Sequence, residues 1–77
     1  MQTIKGTVSK IKVLKLSVSP LVRFNVDDVN CLIATNSLNF MYEALKDCEI
    51  VVAGDYNNRN QFIVKKYCVI SLRKVAV

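Results

Sequence analysis

The feature that most constrains the fold is a β-rich stretch from Ile4 to Leu16 whose alternation changes phase. Its apolar residues share one parity up to Val8, whereas Ile11 and Val13 lie on the other parity. Such a change of phase usually marks a bulge or a sharp bend in one strand. The pattern therefore predicts a long, bent first strand that belongs to both halves of a small closed sheet. Two short strands divided near Ser9 are the alternative.

The length and composition indicate one small globular domain that spans residues 1–77. The chain has 77 residues, of which 52% are apolar, so it is too hydrophobic for a disordered tail. No apolar run approaches the roughly 18–20 residues that a membrane span needs. The first residues also lack the charged-then-apolar layout of a signal peptide. We therefore expect a cytoplasmic protein that does not associate with membranes.

The rest of the chain contains four further strand patterns. The clearest runs from Leu21 to Asp27, where Val22, Phe24 and Val26 face one way and Arg23 the other. Asp27-Asp28 is typical of a turn, and residues 57–60 are predicted to form a polar hairpin loop. The remaining predicted strands are Val29 to Thr35, Glu49 to Tyr56, with Ile50, Val52, Gly54 and Tyr56 on one face, and Gln61 to about Leu72.

The parity of the third strand cannot be read, because residues 31–34 are all apolar. A binding face lined by Leu32 or Ile33 would indicate pairing with a protein rather than with bases.

One short amphipathic helix is predicted between the third and fourth strands. Asn36 or Ser37 can cap it, and Lys46 and Asp47 close it. Apolar residues then recur at i, i+3, i+4 and i+7, which is the spacing of one helix face. The predicted buried stripe consists of Leu38, Met41, Tyr42 and Leu45.

The element order is therefore β-β-β-α-β-β, an all-β chain with one short helix. Five strands in so short a chain cannot leave many edges open, which favours a closed barrel. A helix between strands three and four is the layout of the five-stranded OB-fold barrel. An Sm-like or SH3-like barrel is the rival, although it would normally place a helix at the start or have none.

Several short motifs resemble those of a known family. They are Ile4-Lys5-Gly6-Thr7-Val8, Val22-Arg23-Phe24-Asn25-Val26, the helix Leu38 to Leu45, Ile50-Val51-Val52-Ala53-Gly54 and Phe62-Ile63-Val64. With these motifs the chain resembles the compact OB-fold single-stranded DNA-binding proteins of bacteria and phages, including the primosomal branch. The resemblance implies a role in replication, repair or recombination. The hairpin between strands four and five is shorter here than the long arm that such proteins often extend.

The charge is divided along the chain into a basic, an acidic and a basic third. Residues 1–26 carry five cations and no acid, residues 27–56 carry six acids and one lysine, and residues 57–77 carry five cations. If the fold brings the two ends together, the basic thirds share one face, and the natural partner is a polyanion.

Proteins bind single strands with cations that meet phosphates and with rings that stack on bases. In an OB-fold the binding face consists of strands two and three with the loops 1–2 and 4–5. Phe24 and Phe62 are expected in the core. Tyr56 and Tyr67 are the candidate stacking rings, with a role at the barrel rim as the alternative. The predicted nucleic-acid-binding residues are Lys10, Lys12, Lys15, Arg23, Tyr56, Arg59, Lys65 and Tyr67.

Catalysis finds little support in the sequence. The chain has no histidine, no glycine-rich phosphate loop and no visible pair of nucleophile and base. Cys31, Cys48 and Cys68 are far apart, so we expect reduced, mostly buried thiols, with a disulfide or a reactive thiol as the alternative. We therefore expect no enzyme activity, no metal, no cofactor and no small-molecule substrate.

The leading hypothesis is sequence-tolerant binding of a single-stranded nucleic acid, DNA before RNA. A homodimer is expected, because pairing two short grooves raises the effective concentration of each. The alternative is an OB module for protein–protein interaction whose basic charge is incidental.

Overall fold

The computed structural model describes residues 1–44 and 47–71. The elements follow the predicted order: β1 (Gln2–Lys15), β2 (Leu21–Val26), β3 (Val29–Ile33), α1 (Ser37–Glu43), β4 (Glu49–Tyr56) and β5 (Phe62–Ser71). Predictions that concern Leu45, Lys46 and the tail from Leu72 onward lie outside the described residues. Within the described ranges, no helix is long and apolar enough to cross a bilayer.

The five strands form one closed sheet in the order β1-β2-β3-β5-β4, with β4 returning to β1. Neighbouring strands are antiparallel except β3 and β5, which run parallel. The first half of β1, Gln2 to Thr7, pairs with β4, and the second half, from Val8 onward, pairs with β2. The prediction of one long strand shared by both halves of the sheet is therefore confirmed.

The predicted change of phase in β1 is a β-bulge at Lys10 and Ile11. The register runs from Ser9 opposite Asn25 to Lys12 opposite Arg23, so two residues of β1 face one residue of β2. Lys10 has a φ of 54°, in the left-handed region, which some bulges require of their first residue. Beyond the bulge, the side chain of Val13 packs against the core. Ile11, predicted to share the parity of Val13, lies on the bulge and is exposed.

The interior of the closed sheet holds the hydrophobic core. Phe24 and Phe62 are wholly buried, as predicted, and Cys31 and Ile33 are the inward residues of β3. The sequence left the parity of β3 open, and the structure places Leu32 on the outside of the sheet. The buried apolar residues are Val8, Val22, Phe24, Val26, Cys31, Ile33, Phe40, Ala44, Cys48, Ile50, Val52, Phe62 and Val64.

The predicted buried stripe of the helix is wrong. Ser37, Phe40 and Ala44 face the core, whereas Leu38 is 52% exposed and Tyr42 is 85% exposed. Phe40 decides the orientation, because its ring lies 4.3 Å from that of Phe24, between centroids. We call Leu38, Met41 and Tyr42 the exposed helix stripe.

The ends of α1 also differ from the prediction. Asn36 occupies the N-cap position, but its backbone is left-handed and its side chain makes no capping hydrogen bond. The helix ends at Glu43, before the predicted closing residues, and Ala44 is already extended. At seven residues, α1 depends on the packing of Phe40 rather than on its caps.

One of the other register shifts is a bulge in β5 where it passes Gly54. Ala53 pairs with Lys66 but Gly54 pairs with Val64, so Lys65 is the extra residue. The backbones approach closely here: a Cβ on Gly54 would lie 1.9 Å from the carbonyl oxygen of Ile63. Only glycine fits at this position without moving a neighbouring strand.

We expect Gly54→Ala to destabilise the fold, because the added methyl group meets backbone that cannot move independently. The expected loss in the free energy of unfolding is about 1–3 kcal/mol or more, the usual cost of overpacking, and urea denaturation measures it. Gly6→Ala is the comparison, since the atoms nearest to a Cβ there belong to the Asp27 carboxylate, at 2.5 Å. That side chain can turn away without any movement of the backbone, at the cost of the hydrogen bond that it accepts from the Thr7 N–H, so the loss in stability should be smaller. Equal stability of the Gly54 variant and the wild type would contradict this account.

Candidate nucleic-acid interface

The centre of the candidate interface is a pair of cations on neighbouring strands. Lys12 of β1 lies directly opposite Arg23 of β2, and both side chains are exposed on the outside of the closed sheet. Directly opposed residues on one face of an antiparallel pair place their Cβ atoms about 4.5–5.5 Å apart, and like charges at that distance repel. The sheet therefore concentrates positive charge at a point where it lowers stability.

No carboxylate of the described chain neutralises this pair. Within residues 1–44 and 47–71, the ion pairs are Lys5 with Glu49, at 4.0 Å, and the N-terminal amine with Asp55, at 3.5 Å. Arg23 instead donates from Nε to the side-chain oxygen of Asn30, at 3.1 Å. This bond orients the guanidinium and leaves its charge available to an anion.

Polar and apolar groups continue the same outer face across the sheet. Asn25 pairs with Ser9 of β1 and with Asn30 of β3, which forms a polar row. In the next row, Arg23 pairs with Leu32, and Leu32 pairs with Ile63 of β5. We call the outer side of β1, β2 and β3, with Lys12, Arg23, Asn25, Asn30 and Leu32, the cationic face.

Three other predicted cations lie at the borders of the cationic face. Lys10 is the exposed bulge residue beside it, and Lys15 pairs with Leu21 at the end of β1. Arg59 is exposed in the β4–β5 loop, which the parallel pairing of Cys31 with Phe62 brings alongside β3. Asn57 shapes this loop, because its side-chain oxygen accepts hydrogen bonds from the backbone N–H of Arg59 and Gln61, both at 2.9 Å.

Lys65 and Tyr67 lie on β5, beyond the residues that pair with β3. Lys65 is the bulge residue next to Val64 and lies two residues beyond Ile63, which pairs with Leu32 of the cationic face. Lys65 therefore adjoins the border of that face. Tyr67 lies opposite Val52 of β4, and Lys66 lies opposite Ala53, which in turn pairs with Thr3 in the first half of β1. Lys66 and Tyr67 thus belong to the β4 side of β5.

The two candidate stacking tyrosines have different surroundings. The ring of Tyr67 packs edge-on against Phe40, at 5.5 Å between centroids, and its hydroxyl donates a hydrogen bond to the Glu43 carboxylate. Burial, then the Glu43 carboxylate, raises the pKa of Tyr67 to about 12. Tyr56 is 43% exposed, and its ring touches Phe62 edge-on, at 5.2 Å. Tyr67 thus fastens α1 to β5, whereas Tyr56 keeps a free ring surface beside the β4–β5 loop.

Of the three cysteines, Cys31 and Cys48 are buried and Cys68 is exposed. All three lie in the described part of the chain, and no disulfide joins them. Burial raises the pKa of the Cys31 thiol to about 11, so this thiol is inert at neutral pH.

No protein-family model, curated protein or solved structure matches this chain. Any function therefore has to be argued from the arrangement of its own residues.

Sequence reasoning missed two features of this surface. One is the polar row of Asn25 and Asn30, whose pairing becomes visible only with the register. The other is the β1–β2 loop, where Leu16 and Val18 are almost fully exposed. The alternation of Leu16 and Val18 with Ser17 and Ser19 ahead of Pro20 was the available signal, because it places apolar residues in a turn region.

The raised pKa of Tyr67 predicts a loss of stability at alkaline pH. Below about pH 10 the phenol is protonated in both the folded and the unfolded chain. Between pH 10 and about 12 the unfolded chain releases this proton while the folded chain retains it, so the free energy of unfolding falls as the pH rises. Tyr67→Phe removes this titration, and urea denaturation at several pH values should show a shallower decline.

Glu43→Gln provides a second measurement of the same contact. The variant removes the negative charge that opposes ionisation of Tyr67, so the phenol should titrate at a lower pH in the ultraviolet absorbance of the folded protein. An alkaline decline of equal steepness in the wild type and in Tyr67→Phe would contradict the assignment. The Cys31 thiol, with its pKa of about 11, contributes a separate decline that begins near pH 9 and that both variants retain.

Proposed function

We propose that this chain is an OB-fold protein that binds single-stranded nucleic acid, DNA before RNA, without strong sequence preference. The proposal is supported by a closed five-stranded sheet with its helix between β3 and β4. In an OB-fold, the strand 2–3 face and the loops 1–2 and 4–5 bind oligonucleotides. The cationic face occupies the same strands, and Arg59 lies in the corresponding second loop.

The opposition of Lys12 and Arg23 is the observation that carries the proposal. A structural role does not require two unpaired cations side by side, because their repulsion lowers stability. When a phosphate backbone binds, the two cations stabilise the complex, because each meets a phosphate and a condensed counterion is released. The neighbouring amides of Asn25 and Asn30 supply donors and acceptors for sugars and base edges.

Two observations favour a second candidate function, an OB module for protein–protein interaction. The first is the position of Leu32 on the outer side of β3, since a face lined by Leu32 indicates pairing with a protein rather than with bases. The second is the exposed helix stripe. Leu38, Met41 and Tyr42 form an apolar surface of adjacent side chains on a helix otherwise anchored by Phe40, and such surfaces are common at protein interfaces. A second copy of the chain is one such partner, so this stripe also supports the homodimer that we propose for the nucleic-acid-binding protein. If the protein sediments as a stable protein–protein complex and does not bind oligonucleotides at low salt, the result favours this candidate.

Charge removal on the cationic face tests the leading function. We expect Lys12→Gln and Arg23→Gln each to weaken binding of oligo-dT, measured by fluorescence anisotropy over a range of salt. Each variant should also reduce the log–log salt slope by about 0.7, the value for one phosphate contact on a single strand.

Lys66→Gln is the matched control, because it removes the same charge from the part of β5 that pairs with β4. If binding follows net charge alone, all three variants weaken it equally, and the cationic face is not the site. An absence of oligo-dT binding at low salt in the wild type would refute nucleic-acid binding altogether.

Tyr56 is the proposed stacking ring at the border of this surface. Tyr56→Ala should cost about 1–3 kcal/mol of binding free energy, the usual value for one stacked base. Tyr56→Phe keeps the ring and its contact with Phe62, so it should bind as the wild type does. Tyr42→Ala is the control, since Tyr42 is an exposed tyrosine on α1. Equal binding by the two Tyr56 variants would remove the stacking role while leaving the role of the cations intact.

A further inference from the structure

The β1–β2 loop and the end of β1 expose several aliphatic side chains to solvent. Leu16 is 85% exposed and Val18 is 94% exposed, and Leu14 beside them is 45% exposed. Exposed apolar side chains that cluster in one loop are characteristic of a contact surface. Lys15 adjoins this loop directly and Lys12 and Arg23 lie on the strands that it joins, while residues 1–26 contain no acid. Its partner must therefore combine negative charge with apolar surface.

The cationic face lacks the aromatic rings that usually stack on bases. Across β1, the β1–β2 loop, β2 and β3, all of which the structure describes, the one aromatic residue is Phe24, and it is wholly buried. A strand that is held by Lys12 and Arg23 and continues over the β1–β2 loop therefore meets aliphatic side chains instead of rings. Leu16 and Val18 are the most exposed of these.

We infer that Leu16 and Val18 contact a base of the bound strand and favour thymine at that one position, while the rest of the strand is bound without regard to its sequence. This inference rests on the proposed function. Thymine is the base that carries a methyl group, and apolar side chains contact that group. Uracil has the same hydrogen-bonding edge without the methyl group. The loop thereby favours DNA over RNA through one apolar contact rather than through the sugar.

An anionic lipid surface also combines negative charge with apolar surface, but the layout of the cationic face favours a strand. Asn25 and Asn30 extend the face away from the loop as a row of amides. Amides form hydrogen bonds with base edges and sugars, whereas a membrane-binding tip gains nothing from a polar row that leads away from it.

The test compares oligo-dT with oligo-dU of equal length at one salt concentration, because the two differ only in the thymine methyl groups. Wild-type protein should bind oligo-dT more tightly, by about fourfold for each methyl group buried. The double variant Leu16→Ser/Val18→Ser should lose this difference, because its affinity for oligo-dT should fall by more than its affinity for oligo-dU. Ile70→Thr, which removes exposed apolar surface from β5, is the control and should keep the preference.

The measurements separate a failure of the thymine contact from a failure of nucleic-acid binding. Equal binding of oligo-dT and oligo-dU by the wild type, or a preference that survives in the double variant, overturns this inference and leaves the phosphate contacts untouched. Absence of binding to either oligonucleotide at low salt refutes the proposed function itself. Binding of wild-type protein to phosphatidylglycerol vesicles that the double variant loses, with oligonucleotide binding unchanged, assigns the loop to lipid instead.

Discussion

The fold depends on the point at which β1 exchanges one partner strand for another. Thr7 is the last residue to pair with β4, and Val8 is the first to pair with β2. The backbone groups at this point are satisfied from both sides. Val8 donates to the carbonyl of Cys48 at 2.9 Å, Asp27 donates to the carbonyl of Thr7 at 3.0 Å, and Asp47 donates to the carbonyl of Val8 at 2.8 Å. The Asp27 side chain also accepts from the Thr7 N–H, at 3.0 Å, so the β2–β3 turn helps to close the sheet.

Two of the bulges, at Lys10–Ile11 on β1 and at Lys65 on β5, follow from the positions of the lysines. On β1, the inward parity that includes Val8 would next place Lys10 and Lys12 in the core. On β5, the inward parity of Val64 would likewise place Lys66 in the core. Buried lysines without a partner are strongly disfavoured, and one extra residue in each strand returns the lysines to solvent. The bulges thus keep the core apolar and at the same time direct the cations outward.

The strands were largely predictable because burial in a sheet has a period of two, which a few residues are enough to reveal. The bounds of β4 match the prediction, and Val22, Phe24 and Val26 face inward as expected. The helix was not predictable to the same degree. A helix of seven residues has two faces that can pack on the core. The more hydrophobic face is exposed, because Phe40 on the other face packs against Phe24 and Tyr67. That fit depends on distances between elements, about which a single sequence carries no information.

The central cations of the candidate site were predictable from the sequence, but their arrangement was not. Lysines and an arginine on the second half of β1 and on β2 could be read from alternation alone. Their opposition could not, because it depends on the bulge. Continuing the pairing of Val8 with Val26 without an extra residue would set Ile11 opposite Arg23. The extra residue shifts the register by one, and Lys12 takes that place instead. The same insertion that keeps lysine out of the core therefore also produces the unneutralised pair, so the surface that we propose binds phosphates arises from the requirement for an apolar core.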